Sequence, residues 1–334
     1  MQRAASLVHL PALLAELGVD LAEVLAETGV SVADLRPDAH IPYASYLAIL
    51  ARSARLTRCH DFGLRLGSRQ TLAALGPVGR LMRCAATLGE ALSDFVAFQI
   101  SNSTGGAVYL HRSGDDVAFG YGVCDPVTKA TREMHDLVVA IGCRLVRELT
   151  GGKVEPLEVL MIGREPDDLA PYRALTTSPV RFEQSETCLV LSRADLELRL
   201  ETADPAMRDA LFAELHQRLL QAPWGVSSRV RHVLRALMIS GVHSMREVAA
   251  HLGFHPRSLR RALASEGTTF EAIKDETRYA VARELLSLTQ LPAADVSMSL
   301  GYGTPSAFVH AFRRWSGNAP IQWRRRLGEG HVDR

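Results

Sequence analysis

The sequence predicts an α+β N-terminal domain followed by an all-α domain in which two helix-turn-helix units are joined by a linker helix. Three observations carry that expectation. Charge divides unevenly along the 334 residues: positions 228–334 hold 16 Lys and Arg against 9 Asp and Glu, whereas positions 1–227 hold 22 against 28. Runs that read as strands, AVYLHRSGDDVAFGYGV, LEVLMIG and CLVLS, fall in the acidic part. In the basic part a short segment repeats: VAAHLG at Val248–Gly253 returns as VSMSLG at Val296–Gly301.

In chain order, residues 1–104 read mostly as helices. LAEVLAETG and YASYLAILARSARLT space their apolar residues three and four apart. AVYLHRSGDDVAFGYGV alternates and breaks at Ser113–Asp116, a hairpin signal. TKATREMHDLVVAIGCRLVRELTGG reads as a helix stopped by glycines, and LEVLMIG and CLVLS as strands. Phe95, Phe98, Phe119 and Tyr121 read as plain core, with the lining of an apolar pocket as the alternative. Arg132 and His135 read as a solvated helix face, with anchors for a carboxylate as the alternative. No ligand-binding residue is assigned. The boundary is expected at QAPWGVSS, Gln221 to Ser228, where Pro223 and Gly225 break helix and Ser227 and Ser228 stand ready to cap the next one. The chain then divides into 1–221, a linker at 222–228, and 229–334.

After each copy of the repeat come an aromatic residue, a short turn and a second helix, in FHPRSLRRALASEG and in YGTPSAFVHAFRRWSG. That is the helix-turn-helix pattern, whose second helix enters a DNA major groove. Ser244 and Glu247 offer a capping box before the first unit. Thr304 and Pro305 read as N-cap and first helical position in the second. Between the units, Thr268 and Glu271 offer another box. It opens a helix with Phe270, Ile273, Val281, Leu285 and Leu288 at near-helical spacing. A helix of roughly 19 residues spans about 28 Å, enough to hold two reading heads close to one DNA turn, about 34 Å, apart.

The charge pattern within the second helices is informative. Arg257, Arg260 and Arg261 stand at i, i+3 and i+4 on one face, with Leu259 and Leu263 opposite. Pro256 suits the first helical position and Gly267 the end. Like charges so spaced repel by a few tenths of a kcal/mol per pair. A phosphate or a guanine edge would offset that cost; a solvated surface helix is the ordinary reading of such a helix met alone. In the later copy Phe308, Phe312 and Trp315 line the inner face, Ser306, His310 and Arg313 the outer one, and Arg314 its edge.

Several classes are disfavoured. No run of about 18 apolar residues exists, so no membrane span is expected. MQRAASLVHLPALLAELGVD carries acidic residues and a helical period instead of a leader's apolar run, so a cytoplasmic location is expected. Cys59, Cys84, Cys124, Cys143 and Cys188 are odd in number and scattered, which fits reduced thiols and gives no support to zinc. His251 and His255 are four apart, but Gly253 interrupts the helix between them. Neither a cofactor nor a metal is expected. Without Gly-x-Ser-x-Gly, a phosphate loop or His-Glu-x-x-His, no enzyme is expected either.

From about Ser228 to Arg326 the chain resembles the DNA-binding domain of the AraC/XylS family of bacterial transcription regulators. The most specific stretch is LPAADVSMSLGYGTPSAFVHAFRRWSGNAPIQWRR, which resembles the family signature around the second unit, including its closing Gly-x-x-Pro at Gly317–Pro320. Arg278 stands where the family's connecting helix carries its usual Arg. The resemblance implies double-stranded DNA as a partner and RNA polymerase as another at activated promoters. It also implies that Arg257, Arg260, Arg261, Ser306 and His310 face the groove; Arg313 joins them from its place on the outer face. Three departures stand out. His255 replaces a common capping Ser, His310 a very frequent Arg, and Pro305 a polar residue that can reach bases. The second unit is thus poorer in strong base readers than the first.

The acidic half resembles the N-terminal domain called arabinose-binding-like in one large AraC subfamily. The resemblance lies in DFGLRLGSRQTLAALGPVGRLMRCAATLGEAL, in SPVRFEQSETCLVLSRADL, and in the pieces Asp125–Pro126 and Ala203–Pro205. It implies a sensor of an unnamed small-molecule effector, with a homodimer among the possible assemblies. The expected function is a sequence-specific DNA-binding transcription regulator controlled by a small molecule bound to the N-terminal domain. The alternatives are a constitutive DNA-binding protein without a ligand and an enzyme with its site in the acidic half.

Overall fold

The computed structural model describes residues 1–113, 115–123, 131–221, 225–239, 244–288 and 291–329. Cys124, the Asp125–Pro126 piece, Gly114 of the hairpin break and residues 222–224 of the expected linker lie outside them.

The N-terminal half begins with two short strands, β1 (Gln2–Arg3) and β2 (His40–Ile41), that pair antiparallel. Around them lie α1 (Leu10–Glu16), α2 (Leu21–Leu25), α3 (Tyr43–Thr57), α4 (Phe62–Gly67), α5 (Pro77–Arg83) and α6 (Leu88–Phe98). The alternating segment forms the hairpin β3 (Gly106–Ser113) and β4 (Asp116–Val123), with Val108 opposite Tyr121 and Leu110 opposite Phe119. Next come α7 (Arg132–Thr150), β5 (Glu158–Leu160), α8 (Ala170–Leu175), β6 (Val180–Arg181), β7 (Thr187–Leu191), α9 (Arg193–Leu196) and α10 (Pro205–Gln221).

The larger sheet has the order β3-β4-β7-β5-β6, antiparallel except between β5 and β6. The strand β6 was not anticipated: two residues are too short to show an alternation. The helix α7 packs on β7 and buries Leu137, Ala140, Cys143 and Leu145. On its other side α4 approaches so closely that a Cβ at Gly63 or Gly67 would collide with the carbonyls of Glu133 and Leu137. The two glycines of DFGLRLGS therefore serve helix-on-helix contact. Each buried Leu, Ile or Phe in this core contributes about 1.5–3 kcal/mol.

The C-terminal half is helical: α11 (Val226–Ile239), α12 (Met245–His251), α13 (Pro256–Ser265), α14 (Phe270–Leu288), α15 (Ala293–Ser299), α16 (Pro305–Ser316) and α17 (Pro320–Glu329). It has its own core, in which Val230, Leu234, Leu259, Ile273, Phe308 and Phe312 are buried together. The box Ser244–Glu247 caps α12 as expected. Two other caps differ from expectation. Thr269, not Thr268, caps α14, its hydroxyl accepting from the Ala272 N–H at 3.1 Å. The Thr268 N–H instead closes α13 by donating to the Leu263 carbonyl at 3.1 Å. Ser227 and Ser228 lie inside α11, and its first N–H groups are capped from afar. The Glu266 carboxylate at the end of α13 accepts from Val226 and, at 2.9 Å, from Ser227. A negative group at a helix N-terminus also complements the dipole.

Candidate nucleic-acid interface and effector cavity

In the first unit His255 caps α13, its Nδ1 accepting the Arg257 N–H at 3.3 Å, and Pro256 occupies the first turn. The departure from a capping Ser thus keeps the capping function. Gly253 and its repeat partner Gly301 have φ of +69° and +70°, so both turns need the left-handed conformation that glycine adopts freely. Leu259 and Leu263 anchor the helix in the core, and Arg257, Arg260 and Arg261 are exposed. None of the three guanidinium groups has a hydrogen bond or ion pair among the described residues.

The second unit is built alike. Thr304 caps α16 by accepting from Ala307, Pro305 follows, and Phe308 and Phe312 are buried. Ser306, His310 and Arg313 are exposed. Arg314 is tied to Asp275 of α14 at 2.8 Å and lies beside the Trp315 ring. The Arg278 guanidinium sits 4.6 Å from the centre of the Tyr302 ring, so it braces the second turn against the linker helix. The structure thus brings the three arginines together on α13, and Ser306, His310 and Arg313 together on α16.

The two halves meet where α11 packs along β3 and β4 and α14 touches β4. At that contact Arg235 of α11 and Glu284 of α14 form an ion pair at 2.9 Å, with side chains only 2% and 1% exposed. Arg235 Nε donates to the Val123 carbonyl at 3.1 Å, and the Val123 N–H donates to Glu284 at 3.2 Å. The pair therefore clasps the end of β4 by both of its backbone groups. A Cβ at Gly122 would collide with the Arg235 guanidinium, so glycine is what lets the charge reach the strand. Burial alone would raise the Glu284 carboxyl, but Arg235 and then His135 hold it below the usual range.

The expectation of a solvated face for Arg132 and His135 is corrected here. His135 is buried, with Nε2 3.2 Å from Glu284 Oε1, within ion-pair distance though outside hydrogen-bond geometry. Arg132 is half-buried, donating to the Tyr172 hydroxyl at 3.1 Å and pairing with Asp136 at 3.5 Å. Asp136 is pushed up to about 6 by burial, against the pull of the Tyr172 hydroxyl and Arg132. The helix α7 turns these groups inward because α4 and α14 cover faces that the sequence alone leaves uncovered.

Between the sheet, α6, α7 and the first residues of the chain lies a cavity of about 100 Å³. Phe95, Phe119 and Tyr121 line it, whereas Phe98 lines an adjoining outer cleft with Arg3, His40 and Arg218, and Leu75 and Asn102 belong to both. The cleft is larger, about 380 Å³, but shares no residue with the contact between the halves. The inner cavity does reach it. Tyr121 donates to or accepts from the Tyr43 hydroxyl at 2.5 Å, and its ring meets His135 edge-on at 6.3 Å.

Sequence reasoning missed Arg235, Glu284 and the cavity's amides, Gln99 and Asn102. A signal existed for Glu284. Thr277, Val281 and Glu284 follow three-four spacing on the buried stripe of α14, where a lone carboxylate asks for a partner. Among the described residues no helix is long and apolar enough to cross a membrane.

Both halves of the chain are similar to known proteins. Residues 18–200 match a family described as the arabinose-binding domain of AraC transcription regulator, N-terminal, and residues 248–326 match a helix-turn-helix domain. The chain is 29% identical over 325 residues to the HTH-type transcriptional regulator VirS of Mycobacterium tuberculosis, covering 96% of each chain. It is 27% identical over 299 residues to the ornithine utilization regulator of Pseudomonas aeruginosa, covering 86% of this chain and 85% of that one. The crystal structure of the transcriptional regulator CdpR from Pseudomonas aeruginosa is similar at a TM-score of 0.45 and 26% identity, over 86% of this chain and 93% of that one. These relatives are transcriptional regulators, which are not enzymes. The chain belongs to the AraC family of DNA-binding transcription regulators, with an arabinose-binding-like domain in its N-terminal half and a helix-turn-helix domain in its C-terminal half.

Proposed function

We propose that this chain is a sequence-specific regulator whose grip on DNA is set by a small molecule held in the N-terminal half. Arg257, Arg260 and Arg261 of α13 and Ser306, His310 and Arg313 of α16 read the duplex. RNA polymerase and a second copy of the chain, both implied by the family, are the further partners, and the cytoplasm is the compartment. The exposed, unpaired guanidinium groups on α13 support the reading, because Arg forks match phosphate and guanine and nothing within the described residues uses them.

Ligand control rests on one observation. Tyr121 lines the cavity and packs on His135, and His135 lies 3.2 Å from Glu284 on α14, the helix that joins the two reading units. A ligand that repositions Tyr121 alters the surroundings of a buried charge, where electrostatic effects are strong. It shifts the equilibrium only by its difference in affinity for the two states. A typical coupling of about 1–3 kcal/mol changes DNA affinity about 5- to 150-fold.

The test starts by mapping the genomic sites that the chain occupies. The affinity of the intact chain for one such duplex is then measured with fractions of the cell's small molecules added. At least one fraction should change that affinity, and Glu284→Gln should shrink the change. Affinity that no fraction alters means a constitutive DNA binder.

A further inference from the structure

The inner cavity has a chemistry that selects among effectors. Its walls are mainly aliphatic and aromatic, from Phe95, Phe119, Leu137, Leu145 and Leu189. Among the described residues no Asp, Glu, Lys, Arg or His side chain lines it. An ionised ligand would leave its charge desolvated and without a partner, which strongly disfavours binding. Most polar groups in the wall are already used: the Ser6 hydroxyl donates to Tyr46 at 2.9 Å, and Thr187 Oγ1 accepts the Ile162 N–H at 3.2 Å.

Two polar atoms are left over. Gln99 Oε1 and Asn102 Nδ2 are buried and have no hydrogen-bond partner among the described residues. Both residues line the cavity, and they are 4% and 8% exposed. They stand three residues apart in the turn that follows α6, so an acceptor and a donor belong to the same part of the wall. Arg3 Nη1, 3.5 Å from Asn102 Oδ1, sets which way the Asn102 amide faces. An orphaned buried polar atom destabilises the fold, and a ligand group of matching polarity would offset that cost.

We propose that the cavity binds a small uncharged molecule with an apolar body and one terminal carboxamide-like group, which donates to Gln99 Oε1 and accepts from Asn102 Nδ2. This rests on the reading of the N-terminal half as the effector domain. Size narrows the class further. An engineered cavity of about 150 Å³ takes up benzene, and this one is about 100 Å³, so the ligand is no larger than benzene, with about four to six non-hydrogen atoms. A pentose does not fit this chemistry, because its hydroxyls point all round and most of the wall is apolar. Zwitterionic amino acids and phosphorylated metabolites are excluded by charge.

The test uses the intact chain and saturation-transfer NMR with isobutyramide, its isosteric anion isobutyrate, and L-arabinose. Isobutyramide should bind, and the other two should not. Gln99→Leu, close in shape, should weaken isobutyramide binding at least tenfold. Val138→Phe, which fills the cavity from α7, should abolish it while the circular dichroism spectrum stays unchanged. The proposal is overturned if isobutyramide does not bind, if both variants bind it as the parent does, or if isobutyrate or arabinose binds in a manner that Val138→Phe removes. Occupancy of the mapped DNA sites gives a separate readout. Amide binding with this selectivity but without any change in DNA affinity upholds the ligand class and refutes control by this ligand. A charged compound that acts on DNA affinity through the cavity does the reverse.

Discussion

Arg235 of α11 and Arg257 of α13 lie on either side of α12 in the chain and occupy opposite surroundings. The Arg235 guanidinium is buried against Glu284 and the Val123 carbonyl. Arg257 is exposed, and among the described residues its guanidinium has no partner. A guanidinium stays charged in either setting, so it must find its anion inside the fold or outside it. The contrast separates arginines that the fold pairs internally from arginines that it leaves exposed, which the proposed function assigns to DNA. The same split recurs elsewhere: Arg231 pairs with Glu276 and Arg314 with Asp275, while Arg260, Arg261 and Arg313 are exposed.

The largest effect belongs to the internal side. Arg235→Met leaves Glu284 buried without its main counter-charge, and should cost about 3–5 kcal/mol of stability, read from the denaturant midpoint of the intact chain. The double variant Arg235→Met/Glu284→Leu should cost less than Arg235→Met, because no lone charge remains. If the two lose equal stability, the pair is not what joins the halves.

A somewhat smaller effect comes from His232, three residues before Arg235 on α11. Burial holds its imidazole down to about 4 from an ordinary 6.5. The folded state keeps this ring neutral while the unfolded chain protonates it near 6.5. Its contribution is therefore complete above that pH and is lost as pH falls from about 6.5 to about 4, a total of roughly 2–4 kcal/mol. Asp136, raised to about 6, acts in the opposite sense, favouring the fold at the acid end of that window. His232→Leu isolates the first effect: its stability should fall less steeply with acid than the parent's. Parallel curves would mean that the ring is solvated.

The external side predicts smaller changes. His310 is exposed on α16 beside Ser306 and Arg313, with one donor and one acceptor in its neutral form. His310→Arg should tighten DNA binding by about 1 kcal/mol and sharpen preference for guanine in the second half-site. Identical base preferences in half-site substitution series would show that this position does not read DNA.

Much of this contrast was legible in the sequence, and the reason is local. The repeat at Val248 and Val296, the caps at Ser244 and Thr304, and the i, i+3, i+4 arginines all act within one or two helical turns. Local pattern also placed the β3–β4 hairpin and α7. What was not legible depends on distant contacts. Glu266 reaches back about forty positions to cap α11, at Val226 and Ser227. His135 looked solvated because nothing in α7 reveals that Glu284, far along the chain, faces it. Gln99 and Asn102 carry no local mark in the sequence, and only the sheet and α7 enclose them. Partnership across distant segments is a tertiary property, and periodicity in one element does not carry it.

The central claim is that the unpaired arginines of α13 serve DNA and not the fold. Its most direct test is the ratio of affinities for a mapped genomic site and for an unrelated duplex, measured at one salt concentration for the parent, Arg257→Ala and Arg260→Ala. The account predicts that each substitution lowers the ratio by about 1–3 kcal/mol while thermal stability stays within about 0.5 kcal/mol of the parent. An unchanged ratio in both variants, or a loss of stability that accounts for the lost binding, would contradict it.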